Sequence, residues 1–454
     1  MKITPISTAL LLATLGLSGA IQAEEKAYTA TLAGHAWLPA LSLITPPADA
    51  PQDAWLSGKF IDAKRNHSAM SRLGNTGALH GNRNTELASP FIGQPLQGFS
   101  GFAMDRGPDG AFYVLTDNGF GTKANSPDAL LFFHLMAPNF DTGKVDVKET
   151  FFLRDPDFKV PFRIAYEATE SRYLTGADFD PESIQFVNGE IWIGEEFGPY
   201  LIRAGLDGTV REVYSSLLNG NILKSPDSPG VDALSNVGSD WQVSRSGGFE
   251  GMALQPDTGL LWAMLEKPLL DTNGQPLGRD LEVMAFDPIE GKWTGDSFRF
   301  PLAEGATAIG DFNFIDNHRA LVIERDNGEG DPSLACQGEA QPDCFPHPAR
   351  HKRVVLIDIS NLDEQGRAER LGYIDLMAIA DPDHKNRLDT QANRDLSALF
   401  TFPFFTIENV VKVDDRHIMV ANDNNLPGST GRQLNTAADN EFILLEVADF
   451  LKAK

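Results

Sequence analysis

Two cysteines are all that this chain of 454 residues contains, Cys336 and Cys344. They share one polar, Pro-rich stretch, SLACQGEAQPDCFPHP. In an exported chain, a disulfide stapling that loop is the natural reading, and a zinc site using the nearby His347 and His351 is the weaker alternative. Basic residues are also scarce: 38 Lys and Arg face 63 Asp and Glu, for a formal net charge of −25. Such a surface repels nucleic acid and anionic lipid, and it disfavours polyanionic substrates unless cations mediate their binding. Beyond the N-terminus no run approaches 18 continuous apolar residues, so no membrane-spanning helix is expected in the mature chain. There is no Gly-x-Ser-x-Gly elbow, no His-Glu-x-x-His zinc helix and no phosphate-cradling Gly-rich loop. A serine–histidine mechanism stays open, because such residues need only meet in space.

The N-terminus reads as a leader. Met1-Lys2 gives a short positive start, an apolar stretch runs from Ala9 to Ile21, and cleavage is expected after Ala20 or Ala23. No cysteine lies there to mark a lipoprotein. The expected organisation is a signal peptide over 1–23 and a single domain over 24–454, periplasmic or secreted.

Long amphipathic helical patterns are nearly absent, the best candidate being a weak one around Leu376–Ala380. Short β-prone runs bounded by Gly, Asp, Asn and Pro dominate instead. They repeat. GFSGFAMDRGPDGAFYVLTDNGFG (98–121), FDPESIQFVNGEIWIGEEFGP (179–199), GGFEGMALQPDTGLLWAMLEKP (247–268), IGDFNFIDNHRALVIERDNG (309–328) and FTIENVVKVDDRHIMVANDNN (405–425) share one plan. Each has a first strand, a polar turn, and a second strand ending in acids or amides. Further strands follow each pair, giving units of about four antiparallel strands, which repeated radially make a β-propeller. Five units are visible as repeats. The last leaves room for an N-terminal strand to complete it, and residues 27–97 are expected either to close the ring or to supply a degenerate sixth blade, with six favoured.

In an antiparallel hairpin the start of strand one and the end of strand two lie at the same end. Each unit is therefore expected to place its acids at one mouth of the central channel. Glu182, Glu250 and Glu408 open first strands, with Ser100 and Asp311 at the corresponding points of the other two units. Asp117, Glu195, Glu196, Glu266, Glu324, Asp326 and Asp423 end second strands. So many converging carboxylates cannot all ionise without compensation, and oxygen ligands favour calcium. The expected ligands are Asp117, Glu182, Glu195, Glu250, Glu266, Glu324, Asp326, Glu408 and Asp423. Glu195, Glu196, Lys267 and Arg325 are the expected catalytic or substrate-orienting groups. Against this stands the reading in which strand-end acids only bond turn amides or form salt bridges between blades.

The segments GQPLQGFSGFAM, FDPESIQFVNGEIWIGEEFGPYL, GGFEGMAL, LVIERDNG and ENVVKV…NDNN resemble the bacterial phytase-like propeller family, described as having esterase-like activity. The resemblance implies an exported propeller hydrolysing a small-molecule ester or phosphoester. Calcium-dependent propeller phytases suggest, by analogy, calcium held in the acidic mouth and in-line attack by water. No aligned motif carries individual residues over from them, and the few basic residues near the mouth speak against phytate itself. The alternatives are a cation-stabilised propeller that binds a ligand or envelope protein without catalysis, and a metal-independent serine esterase.

Overall fold

The computed structural model describes residues 25–61, 63–65, 85, 87, 89–229, 231, 241–387 and 399–454. The leader expected over 1–23 lies outside them. The described chain is nearly all-β. Its one α-helix among these residues is the short α1 (Ala448–Leu451), while residues 376–380, expected as a weak helix, form a turn and a two-residue strand, Ile379–Ala380.

An N-terminal strand, β1 (Thr31–Leu38), precedes four runs of four strands and one of three. The first run is β2 (Phe99–Arg106), β3 (Phe112–Thr116), β4 (Phe132–Asn139) and β5 (Lys144–Phe152). The second is β6 (Pro181–Val187), β7 (Glu190–Glu195), β8 (Tyr200–Gly205) and β9 (Val210–Ser215). The third is β10 (Phe249–Leu254), β11 (Leu261–Leu265), β12 (Asp280–Asp287) and β13 (Lys292–Pro301). The fourth is β14 (Ala308–Phe314), β15 (Arg319–Arg325), β16 (Lys352–Asp358) and β17 (Glu369–Asp375). The last is β18 (Thr406–Lys412), β19 (His417–Asp423) and β20 (Asn440–Glu446). Each run is an antiparallel meander, and β1 completes the last as its outer strand, with Leu32 opposite Leu445 and Trp37 opposite Glu441. One parallel pair, Lys144 with Trp37, joins that sheet to the first in a path of eight strands.

Local sequence explains the hairpins. Asn188-Gly189 between β6 and β7, and Asp109-Gly110 between β2 and β3, all sit at positive φ, the geometry that tight turns between right-twisted strands require. Burial then sorts the strands. The first strand of each sheet is buried almost throughout, as in β14, while outer strands such as β5 and β13 expose much of their length.

Neighbouring sheets share apolar cores in cyclic order. Leu115 and Phe133 of the first sheet meet Ile184 and Ile193 of the second. Trp192 meets Met252 and Ala263 of the third, and Val283 and Phe300 meet Phe312 and Val322 of the fourth. Ile323 and Val354 meet Val410 and Val420 of the fifth, and Met419 and Phe442 return to Phe99 and Phe102 of the first. The first strands touch in the same cycle: β2, β6, β10, β14, β18 and back to β2. Among the described residues there is no sixth four-stranded sheet. The 27–97 stretch expected to offer one supplies β1, the two-residue strand Ala27–Tyr28 beside β17, and short two-residue pairs.

Buried amide side chains cross-link the first strands. Gln185 donates from Nε2 to Asn313 Oδ1 (2.7 Å) and to the Met252 carbonyl (2.8 Å), while Asn313 donates to the Val410 carbonyl (2.9 Å). These side chains tie first strands of different sheets together.

Candidate functional site

A β-bulge recurs near the start of every first strand. Pairing skips one residue between Pro181 and Ser183, Phe249 and Gly251, Ile309 and Asp311, Ile407 and Asn409, and, in β2, between Phe99 and Gly101. The unpaired residues are Glu182, Glu250, Gly310, Glu408 and Ser100. A bulge re-aims a side chain away from the ladder, and here it gathers three glutamates. The residue expected at this point of the fourth sheet, Asp311, lies one place later. It accepts instead from the Val410 amide (2.7 Å) and the Phe312 amide (2.7 Å), a locking role, and burial lifts its pKa to about 8.

Alternation along the second strands settles which terminal acids join. The residues opposite the position just before each bulge are Thr116, Glu195, Leu265, Glu324 and Asn422. The next residues, Asp117, Glu196, Glu266, Arg325 and Asp423, project to the opposite side. Glu195 therefore turns away from the cluster: its oxygens accept from the amides of Phe197 (2.9 Å), Gly198 (2.7 Å) and Tyr200 (2.7 Å) and hold the following turn. Glu324 also faces away, fully buried against Arg370 (2.9 Å) and His351 (3.0 Å), and these partners hold its pKa down at about 2. Asp326 pairs with the buried Lys352 (3.1 Å) and caps the amides of Gly328, Arg350 and His351. These three expected ligands are thus committed elsewhere.

What converges is Glu182, Glu250, Glu408, Asp117, Glu196, Glu266 and Asp423, joined by Asp180. Asp180 escaped the sequence reading, although it precedes Glu182 by two residues, the spacing that puts strand side chains on one face. Oxygens of Asp180, Glu182 and Glu196 lie within 4.8 Å of one another, and so do those of Glu182, Glu250 and Glu408. Glu182 belongs to both triads. Two cations face these acids. Arg325 Nη2 lies 3.0 Å from Glu266, 3.3 Å from Glu408 and 4.0 Å from Glu250, and Lys267 Nζ lies 2.6 Å from Glu266 while donating to the Ser246 carbonyl. Asp423 additionally accepts from the amides of Gly98 (3.0 Å) and Asn425 (2.7 Å), so it also holds backbone.

Burial first, and then mutual repulsion, pushes Glu182, Glu196, Glu250 and Asp117 well above the usual carboxylate range. Burial likewise lifts Glu408 to about 8 and Asp180 to about 6. Oε1 of Glu196 and Oε1 of Glu250 are buried with no hydrogen-bond partner. Such a group holds protons or cations, because buried unpaired carboxylates are costly.

A family model described as "Phytase-like: Esterase-like activity of phytase" matches residues 94–426. The chain belongs to that family. The phytase-like region contains every member of the cluster, from Asp117 to Asp423. No curated protein matches the chain. Among solved structures, a native arabinanase of Bacillus subtilis shares 10% identity over 77% of this chain and 93% of its own, with a TM-score of 0.34. The PQQ-bound aldose sugar dehydrogenase of Streptomyces coelicolor shares 11% over 77% and 94%, with a TM-score of 0.30. At those scores neither similarity bears on the chemistry of this phytase-like site.

The fourth sheet departs from the others at both ring positions, with Gly310 at the bulge and Arg325 at the strand end. A Cβ on Gly310 would stand 2.0 Å from the Ile407 carbonyl oxygen. Gly310→Ala is therefore expected to lower stability by about 1–3 kcal/mol, the usual range for overpacking, measurable by urea denaturation.

The expected disulfide is present, joining Cys336 to Cys344. His134, fully buried and hydrogen-bonded to Thr150 (2.8 Å), has its pKa lowered by burial to about 3 and serves packing.

Proposed function

We propose that this phytase-like chain is an exported five-bladed propeller that hydrolyses a phosphoester or carboxylester with a calcium ion held in the bulge cluster. The observation that carries the reading is the cluster itself: eight carboxylates facing two cations, with buried oxygens of Glu196 and Glu250 left without hydrogen-bond partners. An all-oxygen, carboxylate-rich donor set suits a hard divalent ion. Asp180, Glu182 and Glu196, with Glu250 and Glu408 beside them, would hold it. The chemistry such an ion supplies is Lewis-acid polarisation of an ester or phosphoryl oxygen and activation of water near neutral pH.

The chain's own residues divide the remaining work. The bulges fix Glu182, Glu250 and Glu408 on first strands that the side chains of Gln185 and Asn313 cross-link. Arg325 hydrogen-bonds Glu266 and Glu408 and holds them in place, with Glu250 4.0 Å away. Lys267 is the more exposed of the two cations and stands at the rim, where it would meet a substrate anion. Export is supported by the disulfide, and no helix among the described residues is long and apolar enough to cross a membrane. Among the described residues, His35, His134, His351 and His417 hydrogen-bond carboxylates, Thr150 and the Arg387 amide.

A hydrolysis panel tests this. Purified protein is assayed on p-nitrophenyl phosphate, bis-p-nitrophenyl phosphate, phytate and p-nitrophenyl acetate, with calcium and with chelator. Turnover that needs calcium is expected. Turnover that survives chelation and is lost to a serine-reactive inhibitor would overturn the proposal.

The raised carboxyl pKa values fix a pH dependence. Without metal, the folded state binds more protons than the unfolded chain between the ordinary carboxylate range and about pH 8. Stability of the stripped protein therefore falls as pH rises through that window. Calcium displaces those protons, so its affinity rises over the same range. Melting temperatures of the stripped protein are expected to drop between pH 5 and 8 and to be restored by calcium. A flat profile would contradict the protonated cluster.

A further inference from the structure

The two triads that share Glu182 are not equivalent. Glu250 and Glu408 of the second are already approached by a guanidinium, at 4.0 Å and 3.3 Å from Arg325 Nη2. In the first, Asp180, Glu182 and Glu196 have no Lys or Arg nitrogen within ion-pair distance among the described residues: Asp180 accepts from the neutral Asn118, at its amide (3.2 Å) and Nδ2 (2.8 Å), and Glu196 Oε1, like Glu250 Oε1 of the second, is buried without a hydrogen-bond partner. The asymmetry has a source in the repeat. The strand-end position that is acidic in four sheets is arginine in the fourth, and the bulge position there is glycine. The Ile407 carbonyl, at 2.0 Å from any Cβ, leaves no room for a side chain at that bulge. Arg325 itself is 6% exposed, reaches across to acids of the third and fifth sheets, and keeps its charge because Glu266, Glu408 and Glu250 surround it.

We propose that Arg325 is a built-in cation occupying the place of a second metal ion, so that the cluster takes one divalent ion, at Asp180, Glu182 and Glu196. The proposal rests on the cation reading above and refines it. A fixed guanidinium differs from an ion in two ways. It cannot be chelated away, and its planar donors hold Glu266 and Glu408 in one orientation. In the second triad Arg325 thus fixes Glu408 and compensates Glu250 whether or not metal is present, and the open triad carries the metal dependence.

Counting ions tests this. The chelator-stripped full chain is equilibrated with calcium and bound ions are counted by native mass spectrometry. The wild type is expected to hold one ion, Glu196→Gln none, Glu250→Gln one, and Arg325→Gln two. Two ions in the wild type, loss of the ion in Glu250→Gln, or a folded Arg325→Gln that still holds one would overturn the proposal while leaving a cation site intact. No ion in the wild type would remove the cation site and this inference with it. Should Arg325→Gln not fold, the contrast between Glu196→Gln and Glu250→Gln decides, since each removes one repelling acid from an over-acidic cluster.

Discussion

Glu182→Gln is expected to lower calcium-dependent turnover by more than about 100-fold, the upper end of what is lost even when only the partners that orient a metal ligand are removed. Glu182 is the one residue common to both oxygen triads. It sits on a bulge whose neighbours, Pro181 and Ser183, remain in the ladder, so the substitution changes charge without changing the backbone. It should also remove the effect of calcium on melting. For a wild type at calcium 100-fold above its dissociation constant, ligand linkage raises stability by about 2.7 kcal/mol. The variant should show none of this. Metal-free Glu182→Gln should meanwhile melt above metal-free wild type at pH 8, because one buried acid has been taken from a repelling set. This opposite movement separates a lost ligand from a damaged fold. Unchanged turnover together with an unchanged calcium response would remove Glu182 from the site.

Glu324→Gln should behave in the reverse way. Glu324 is fully buried and bonded to Arg370 through both oxygens, to His351, and to the Ala303 amide (2.6 Å). Removing one partner of a buried pair typically costs about 3–5 kcal/mol. The lower end applies here, because Glu25 (2.9 Å) still faces Arg370. Calcium affinity and turnover per folded molecule should stay at wild-type values. Denaturant melts paired with calcium titration check both halves. A weakened calcium affinity without loss of stability would put Glu324 back among the ligands.

These two glutamates show how far the residues could be read. The repeated strand pairs made the sheets and their shared acidic end legible, because each hairpin returns to where it started. The facing of individual acids was not legible. One inserted residue in each first strand turns the bulge residue out of the ladder, so Asp311 was read where Gly310 stands. In the second strands a step of one residue reverses the side chain, which sends Glu196 into the cluster and Glu195 into its turn. Glu324 and Arg325 divide in the same way. Asp180 was visible in principle, two residues ahead of Glu182, but it stands just before its first strand, and the repeat singles out only acids that open first strands or end second ones. The count of sheets was obscured at the N-terminus. β1 completes the last sheet, as the repeat allowed, and that uses the strand that a sixth unit would have needed. The disulfide was legible because only one pairing existed.

On the proposal above, the bulge cluster binds a divalent cation. Isothermal titration of the chelator-stripped full chain with calcium at pH 7.5 addresses it directly. Saturable binding is expected, with protons released into the buffer and with the signal abolished in Glu182→Gln. Heats indistinguishable from dilution in the wild type, or an identical isotherm in Glu182→Gln, would contradict it.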